Sequence, residues 1–394
     1  MNLLLEFPVA ASLAACVLQF GAAWKALGKG CRVIEAATDD EALPGVSILK
    51  PLKGVDDRLL DNLESFCRLD YPRYEIVFCV QGASDPALRV ARRVKETHPE
   101  REIVIVVGDC QQGLNPKVNN MMPGYAASKY PFVLISDSNV TPSPGYLREA
   151  VAHFHDASVG LVSHLVRGIG AKTLGARLEN QHLNTFILPS VSLLDRMFGM
   201  PCVVGKSMLM RRADLDAMGG LAAVKDFLAE DYVLGEMFRK AGKKVVISGA
   251  PVDNVNVYRT PRQFLSRHAR WNRMRFSIAG AGYFAELFTN PVGLSMLMVA
   301  IGPGDAEAWT MAGGVIAAKM AMDFGMQRML GDSSSPRWIL LGPLRDVLAA
   351  GLWFSAFFSR NVEWRGRTFR ITRGSRLVPV GETPEMEPAA EAAR

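Results

Sequence analysis

The sequence predicts an α/β domain with a mostly parallel sheet, carrying apolar, membrane-associated helices at both ends, and three observations predict it. Short β-branched runs alternate with helix-like stretches in the first half of the chain, the excess apolar residues collect at the two ends, and acidic residues fall just after the apolar runs. The 394 residues are 49% hydrophobic and only 21% charged, with a formal net charge of +6. Such a balance excludes an intrinsically disordered chain and a coiled coil, and lies on the membrane side of a soluble enzyme.

The first element is an N-terminal anchor, within residues 1–30. Phe7 to Trp24 carries no charge and, at about 18 residues, is near the minimum for crossing a bilayer core. A cleaved signal peptide would have a basic start, whereas Glu6 precedes the run and Lys25, Lys29 and Arg32 follow it. That asymmetry favours an uncleaved anchor with the downstream chain in the cytoplasm.

Residues 44–277 read as one globular domain. Val46 to Leu49, Ile76 to Val80, Ile103 to Val107 and Phe132 to Ser136 are continuous apolar runs, the pattern of buried parallel strands. Asp57 to Arg68, Pro86 to Thr97 and Asn115 to Ala127 have the spacing or composition of crossover helices. In a sheet so connected, the ligand lies beyond the carboxyl ends of the strands.

The apolar zone at 278–360 comes in pieces, Pro291 to Ile301, Trp309 to Met322 and Trp338 to Phe358. The first two are short for full spans and fit a tight hairpin or re-entrant pair. The third contains Arg345 and Asp346, which must be buried together or face protein. Residues 361–394 are a basic segment followed by a Glu-, Ala- and Pro-rich tail expected to be disordered. Three spans would place the C-terminus outside, yet its arginines favour the cytoplasmic side, so one short segment is expected to be interfacial or re-entrant.

Familiar motifs exclude as much as they suggest. The six cysteines include no CxxC and no Cys/His pairing, which supports neither zinc nor a disulfide framework. Gly199 to Ser207 ends like a phosphate-binding loop, but its first glycine is one residue too far from Gly205. GxGxxG is absent, because Gly168-Ile169-Gly170 runs on into Ala-Lys-Thr.

The acids are more informative. Asp85 follows the second strand, and Asp137 ends the fourth with Asn139 two residues on. A carboxylate and an amide two positions apart on extended chain point the same way and can hold a hard divalent cation on a substrate's phosphates. An ordinary turn would also use Asp-Ser-Asn. Glu230-Asp231 opens an amphipathic stretch, where an acid is usually a cap or dipole partner. Arg267 and Arg270-Trp271 sit in an arginine cluster beside the apolar zone, a place suited to anionic headgroups rather than nucleic acid, for which no binding module is present.

Together, Asp85, Asp137 with Asn139, Glu230-Asp231 and Arg267-x-x-Arg270-Trp271 resemble the D, D, D, (Q/R)xxRW signature of inverting family 2-like glycosyltransferases with a GT-A fold. Val46 to Gly54 and Gly113 to Tyr125 narrow the resemblance to the ceramide glucosyltransferase family, family 21. It covers roughly Val46 to Trp271, and the anchor-before, apolar-zone-after layout extends it over most of the chain. Arg267 stands where Gln is commoner, and Asn139 where Asp often occurs.

The resemblance implies a UDP-sugar donor, Mg2+ or Mn2+, and a lipid acceptor, ceramide first, at the membrane; it sets no oligomeric state. It places Lys53 and Asp85 in the nucleotide pocket, and Asn115 and Lys117 against the sugar or phosphates. Asp137 and Asn139 would hold the metal, and Asp231 would act as general base. Arg270, with Arg267, would stabilise the departing diphosphate, and Trp271 would shape the pocket. Diacylglycerol or a hopanoid alcohol would need much the same site. A polysaccharide synthase would need more spanning helices, and a transporter or scaffold leaves the ordered acids unexplained.

Overall fold

A computed structural model describes residues 3–33, 40–331, 336–364 and 366–380. The tail expected to be disordered lies outside the described residues. Eight strands form the central sheet: β1 Val46–Leu52, β2 Tyr74–Val80, β3 Ile103–Val107, β4 Phe132–Ser136, β5 Val140–Thr141, β6 Val159–Ile169, β7 Ser207–Arg211 and β8 Lys244–Val255. Their order is β3-β2-β1-β4-β7-β6-β8-β5. Neighbours β3, β2, β1 and β4 pair in parallel, as do β6 and β8, while β7 and β5 run antiparallel to their partners.

The helices are α1 Leu3–Val33, α2 Leu59–Cys67, α3 Ala87–Thr97, α4 Pro116–Ala127, α5 Tyr146–Ala152, α6 Leu174–His182, α7 Leu188–Phe198, α8 Arg212–Ala217, α9 Glu230–Lys240, α10 Pro261–Ala279, α11 Pro291–Ile301, α12 Ala306–Met329 and α13 Leu341–Phe358. Both faces of the sheet are covered, because every side chain of β1 and β2 is buried. One core holds Ile48, Phe66 and Phe78 and the other Leu49, Val133 and Phe238. Strand alternation sends neighbouring residues to opposite cores.

The N-terminal helix packs on the domain. Ala23 and Ala26 pack with Leu165, Val191 and Ile247 of the domain, and Gln19 donates to the Ser190 hydroxyl at 3.0 Å. Among the described residues two helical stretches, Glu6–Gly28 and Pro336–Phe358, are long and apolar enough to cross a membrane. Pro261–Thr289 and Pro291–Ile301 together would make a third, bent by 78° at its break. The middle C-terminal piece is longer than its apolar stretch suggests, since α12 runs from Ala306 to Met329.

The charges inside this zone neutralise one another. Arg345 is 0% exposed and pairs with Asp323 at 3.0 Å and Asp346 at 2.6 Å, while Lys319 also pairs with Asp323. Two cations and two anions, hydrogen-bonded, avoid the cost of an isolated buried charge.

The segment expected to be merely basic folds. Strands β9 Asn361–Trp364, β10 Arg367–Ile371 and β11 Leu377–Pro379 form an antiparallel sheet whose Val362, Phe369, Ile371 and Leu377 pack on Leu228. Leu377 N–H donates to Asp226 O at 2.7 Å, and Leu228 N–H to Ser375 O at 2.8 Å. This sheet therefore fixes the loop that leads into α9.

Candidate active site

The site forms where β1, β2 and β4 end. Parallel strands lie about 4.8 Å apart, so the ends of β2 and β4 are about 10 Å from each other across β1. Asp85, after β2, accepts from the Gly54 and Ala87 N–H groups at 2.9 and 3.0 Å, and Lys53 lies 3.5 Å from its other oxygen. Lys53 and Asp85 line an open cavity of about 500 Å³ with Gln81, Gly82 and Asp109. A smaller adjoining space of about 200 Å³ brings Trp364, Arg367 and Phe369 of the C-terminal sheet against Lys53 and Gln81.

At the end of β4, Asp137 receives two ammonium groups, Lys117 at 2.8 Å and Lys206 at 2.9 Å. Burial works against its ionisation, yet the two lysines hold its carboxyl well below the usual range. Lys117 also pairs with Glu230 at 2.8 Å and donates to Gly205 O at 3.2 Å. Burial disfavours its charge, but Asp137 and Glu230 prevail and raise its basicity. Lys206, with only Asp137 to offset burial and with Arg267 near, is less basic than an ordinary lysine. Lys50 supports the strand end from below, donating to Asp137 O at 2.6 Å.

Asp231, in the first turn of α9, accepts from Gly205 N–H at 2.7 Å and Tyr232 N–H at 2.8 Å. Burial first, and then neighbouring Glu230, push its carboxyl up to about 6. A carboxylate so tuned titrates close to physiological pH, as a proton acceptor in catalysis requires. Gly205 is needed for this approach, because a Cβ there would meet Asp231 Oδ2 at 2.9 Å and Lys117 Nζ at 3.1 Å.

Two expected ligand contacts have other occupations. Asn115 is fully buried: its oxygen caps α4 by accepting from the Lys117 and Val118 N–H groups, and its amide donates to Phe227 O and Glu230. It therefore aims Lys117. Asn139 accepts from Lys206 at 2.8 Å and donates to Val255 O at 3.3 Å.

The arginine motif lies on α10. Arg267 is 3.3 Å from Glu179 of α6, a carboxylate held at about 2, against burial, by Arg267 and His268. That contact is an ion pair without hydrogen-bond alignment, and the guanidinium also lies 4.6 Å over the Trp271 ring. Arg270 has no hydrogen-bond or ion-pair partner among the described residues, which leaves a planar donor fork free.

Residues 199–207 are a strand approach and not a phosphate loop, since β7 and no helix follows Lys206. Their glycine and lysine nonetheless enter the site, a contribution that the length test on the motif hid. Ser207, His164 and Glu149 line up as Ser···His at 2.8 Å and His···Glu at 3.0 Å, yet Ser207 and His164 are fully buried, so this network is structural.

Among the described residues no three His, Cys, Asp or Glu side chains converge on a metal position. A cation at Asp137 would draw the rest of its oxygen shell from diphosphate and water, the mode suited to Mg2+. Asp137 would be the one protein anion of such a substrate-completed site, and the lysines would give up its two oxygens to the cation.

Acids beyond the carboxyl ends of parallel strands, met by lysines and an arginine fork, suit a phosphate-bearing donor, and the domain is that of a glycosyltransferase. The chain belongs to glycosyl transferase family 21, whose family model matches residues 7–377. It is 28% identical to ceramide glucosyltransferase 3 of Caenorhabditis elegans, over 88% of this chain and 77% of that protein. It is 29% identical to ceramide glucosyltransferase 1 of the same organism (86% and 74%), and 26% to the ceramide glucosyltransferase of Komagataella phaffii (83% and 82%). Among solved structures, mannosyltransferase PcManGT from Pyrobaculum calidifontis, in complex with GDP-Man and Mn2+, overlaps 89% of this chain and 98% of its own at 16% identity and a TM-score of 0.49. S. aureus TarS 1-349 overlaps 84% and 98% at 12% identity, with a TM-score of 0.39.

Proposed function

We propose that this enzyme transfers glucose from UDP-glucose, with inversion, to the hydroxyl of a membrane lipid, ceramide first among acceptors. The observation that carries the chemistry is Asp231. It is a partly buried carboxylate raised to about 6, oriented by two backbone N–H groups and set beside the Lys117, Asp137 and Lys206 cluster. The relatives named above support the acceptor.

Asp231 takes the proton from the acceptor hydroxyl as that oxygen attacks the anomeric carbon. The bond from that carbon to the β-phosphate oxygen breaks on the opposite face, so an α-linked donor gives a β-glycoside. Lys117, Lys206, Arg267 and Arg270 offset the charge gathering on UDP, a planar guanidinium fork matching two phosphate oxygens. Lys53 and Asp85 hold the uridine end, and Trp271 bounds the sugar. Mg2+ or Mn2+ on Asp137, with Asn139 nearby, would offset charge on the leaving diphosphate.

The domain boundaries follow the same division, 1–30 as anchor, 44–277 as catalytic domain, 278–360 as membrane helices and 361–394 as the C-terminal segment. We place the catalytic domain in the cytoplasm, with several helices in the bilayer. Tethering there turns the search for a lipid into an oriented encounter.

The test is purified protein in detergent with labelled UDP-glucose, UDP-galactose, UDP-N-acetylglucosamine or UDP-glucuronate, supplied with ceramide, diacylglycerol or a hopanoid. The expected product is β-glucosylceramide, its anomer read by NMR. Label entering a soluble polymer, or no lipid at all, refutes the reading.

A further inference from the structure

An apolar groove of about 330 Å³ opens between α10, α11 and α13. Leu297 of α11 and Phe354 of α13 stand on its rim, 47% and 48% exposed, on helices that carry no water-facing polar stripe. Its inner end is polar, with His182, His268, Asn272 and the Arg275–Glu286 ion pair at 2.8 Å. His182 is 4% exposed, yet neither ring nitrogen has a hydrogen-bond partner among the described residues. Buried polar side chains are nearly always paired, so an unpaired one facing a cavity points to a ligand.

Two sets of contacts link the groove to residues of the candidate site. Ring contacts run from His182 to His268 at 4.4 Å and from His268 to Trp271 at 5.1 Å, ending at the arginine motif. Cys202, in the loop before β7, is close enough to feel both the Asp231 carboxylate and the Arg275–Glu286 pair. The polar end of the groove and the proposed base thus act on the same loop residue.

We propose that this groove takes an aliphatic chain of the lipid acceptor, and that His182 hydrogen-bonds the neutral polar group from which the chain springs. The inference rests on the lipid-acceptor reading and adds the place and the head chemistry. Burial and the cations around it hold His182 well below the ordinary imidazole range, so it presents one N–H donor and one nitrogen acceptor. Such a pair suits an amide or hydroxyl. An anionic phosphate suits it less, because Arg275 is already neutralised by Glu286.

Three variants test this with long-chain ceramide, a ceramide of truncated chains and UDP-glucose. Ala350→Phe narrows the groove and should raise KM for the long-chain acceptor about tenfold, with little change for the truncated one. His182→Ala should raise KM for both about tenfold, the loss of one hydrogen bond, and His182→Gln should recover most of it. UDP-glucose affinity, read by calorimetry, stays unchanged in all three. Wild-type KM for the long-chain acceptor in Ala350→Phe and His182→Ala overturns the proposal. Loss of UDP-glucose binding in His182→Ala also overturns it, because His182 is then a structural residue. A wild-type enzyme that glycosylates no lipid defeats the parent reading and this proposal together, whereas active wild type with unaffected variants defeats the groove alone.

Discussion

Replacing Asp231 by asparagine separates what the carboxylate does in catalysis from what it costs the fold. Its carboxyl is raised from 3.8 to about 6 by burial and by Glu230. A tenfold change in proton affinity corresponds to about 1.4 kcal/mol, so ionising this side chain costs the folded protein about 3 kcal/mol against the unfolded chain. The folded state holds the proton more tightly, so the protein feels no cost below about pH 4, and stability is lost as pH rises from about 4 to about 6. Asparagine never ionises, but its single oxygen can keep only one of the bonds from Gly205 and Tyr232, a loss of about 1–2 kcal/mol. Asp231→Asn should therefore be about 1 kcal/mol more stable than wild type at pH 8, and about 1–2 kcal/mol less stable at pH 4. Catalysis moves the opposite way, with kcat falling about 100- to 10,000-fold while UDP-glucose affinity is kept. Wild-type kcat/KM should rise with pH through an apparent pKa near 6, a limb absent from the variant's residual activity. Denaturant unfolding at the two pH values, calorimetric titration with UDP-glucose and a pH–rate profile read the three effects. Near-normal turnover in Asp231→Asn would refute the base assignment, and equal stability differences at pH 4 and pH 8 would refute the electrostatic account.

Asp137→Ala should lose the dependence of donor binding on added Mg2+ or Mn2+ and bind UDP-glucose at least about tenfold more weakly, as titration with and without chelator will read. Glu149, held from 4.5 to about 2 against burial by His153 and His164, contributes about 3 kcal/mol that is present above pH 4.5 and lost as pH falls toward 2. Glu149→Gln should remove that dependence and lower Tm at pH 7, seen by thermal unfolding across the acid range. A chain ending at Ser359 lacks β9 to β11 and should lose both UDP binding and transfer, because Asp226, Leu228 and Ala229 then lose their partners. Retained UDP affinity in that truncation would show that Trp364 and Arg367 do not bound the nucleotide pocket.

The first half of the sheet was legible because parallel strands buried on both faces read as unbroken apolar runs. β3 and β4 have the bounds the sequence predicts, and β1 and β2 extend theirs by a few residues. The second half was not. β6 interrupts its apolar pattern with Ser163, His164 and Arg167, and β8 carries Gly249 and Pro251 where its pairing with β6 slips register. Those polar residues are there for partners, Glu149 for His164 and Asp253 for Arg167, that a single strand cannot display. Within the site, Asp85, Asp137 and Asp231 could be found from their places after apolar runs and from the order of the motifs. Lys206 could not, because its value comes from Asp137, an acid about 70 residues earlier in the chain that β4–β7 pairing brings to it. The C-terminal sheet did leave a signal, since Phe369 and Ile371 alternate with Arg370, but the many arginines gave the segment the look of a solvated basic stretch.

That C-terminal sheet also joins the apolar groove to the candidate site. α13, which forms one wall of the apolar groove, ends at Phe358 and passes within three residues into β9. Ser375, Arg376 and Leu377, where the chain turns into β11, then grip the loop 226–229 that leads to Asp231, while Arg367 and Trp364 reach the cavity beside Lys53. α10 adds a second link, packing on α13 while it carries Arg267 toward Glu179 and Lys206. The apolar groove and the candidate site therefore share α10, α13 and the C-terminal sheet as common supports. The apolar ends of the chain and its polar centre thus meet through one set of packed elements, and the loop that carries the proposed base Asp231 is gripped by it.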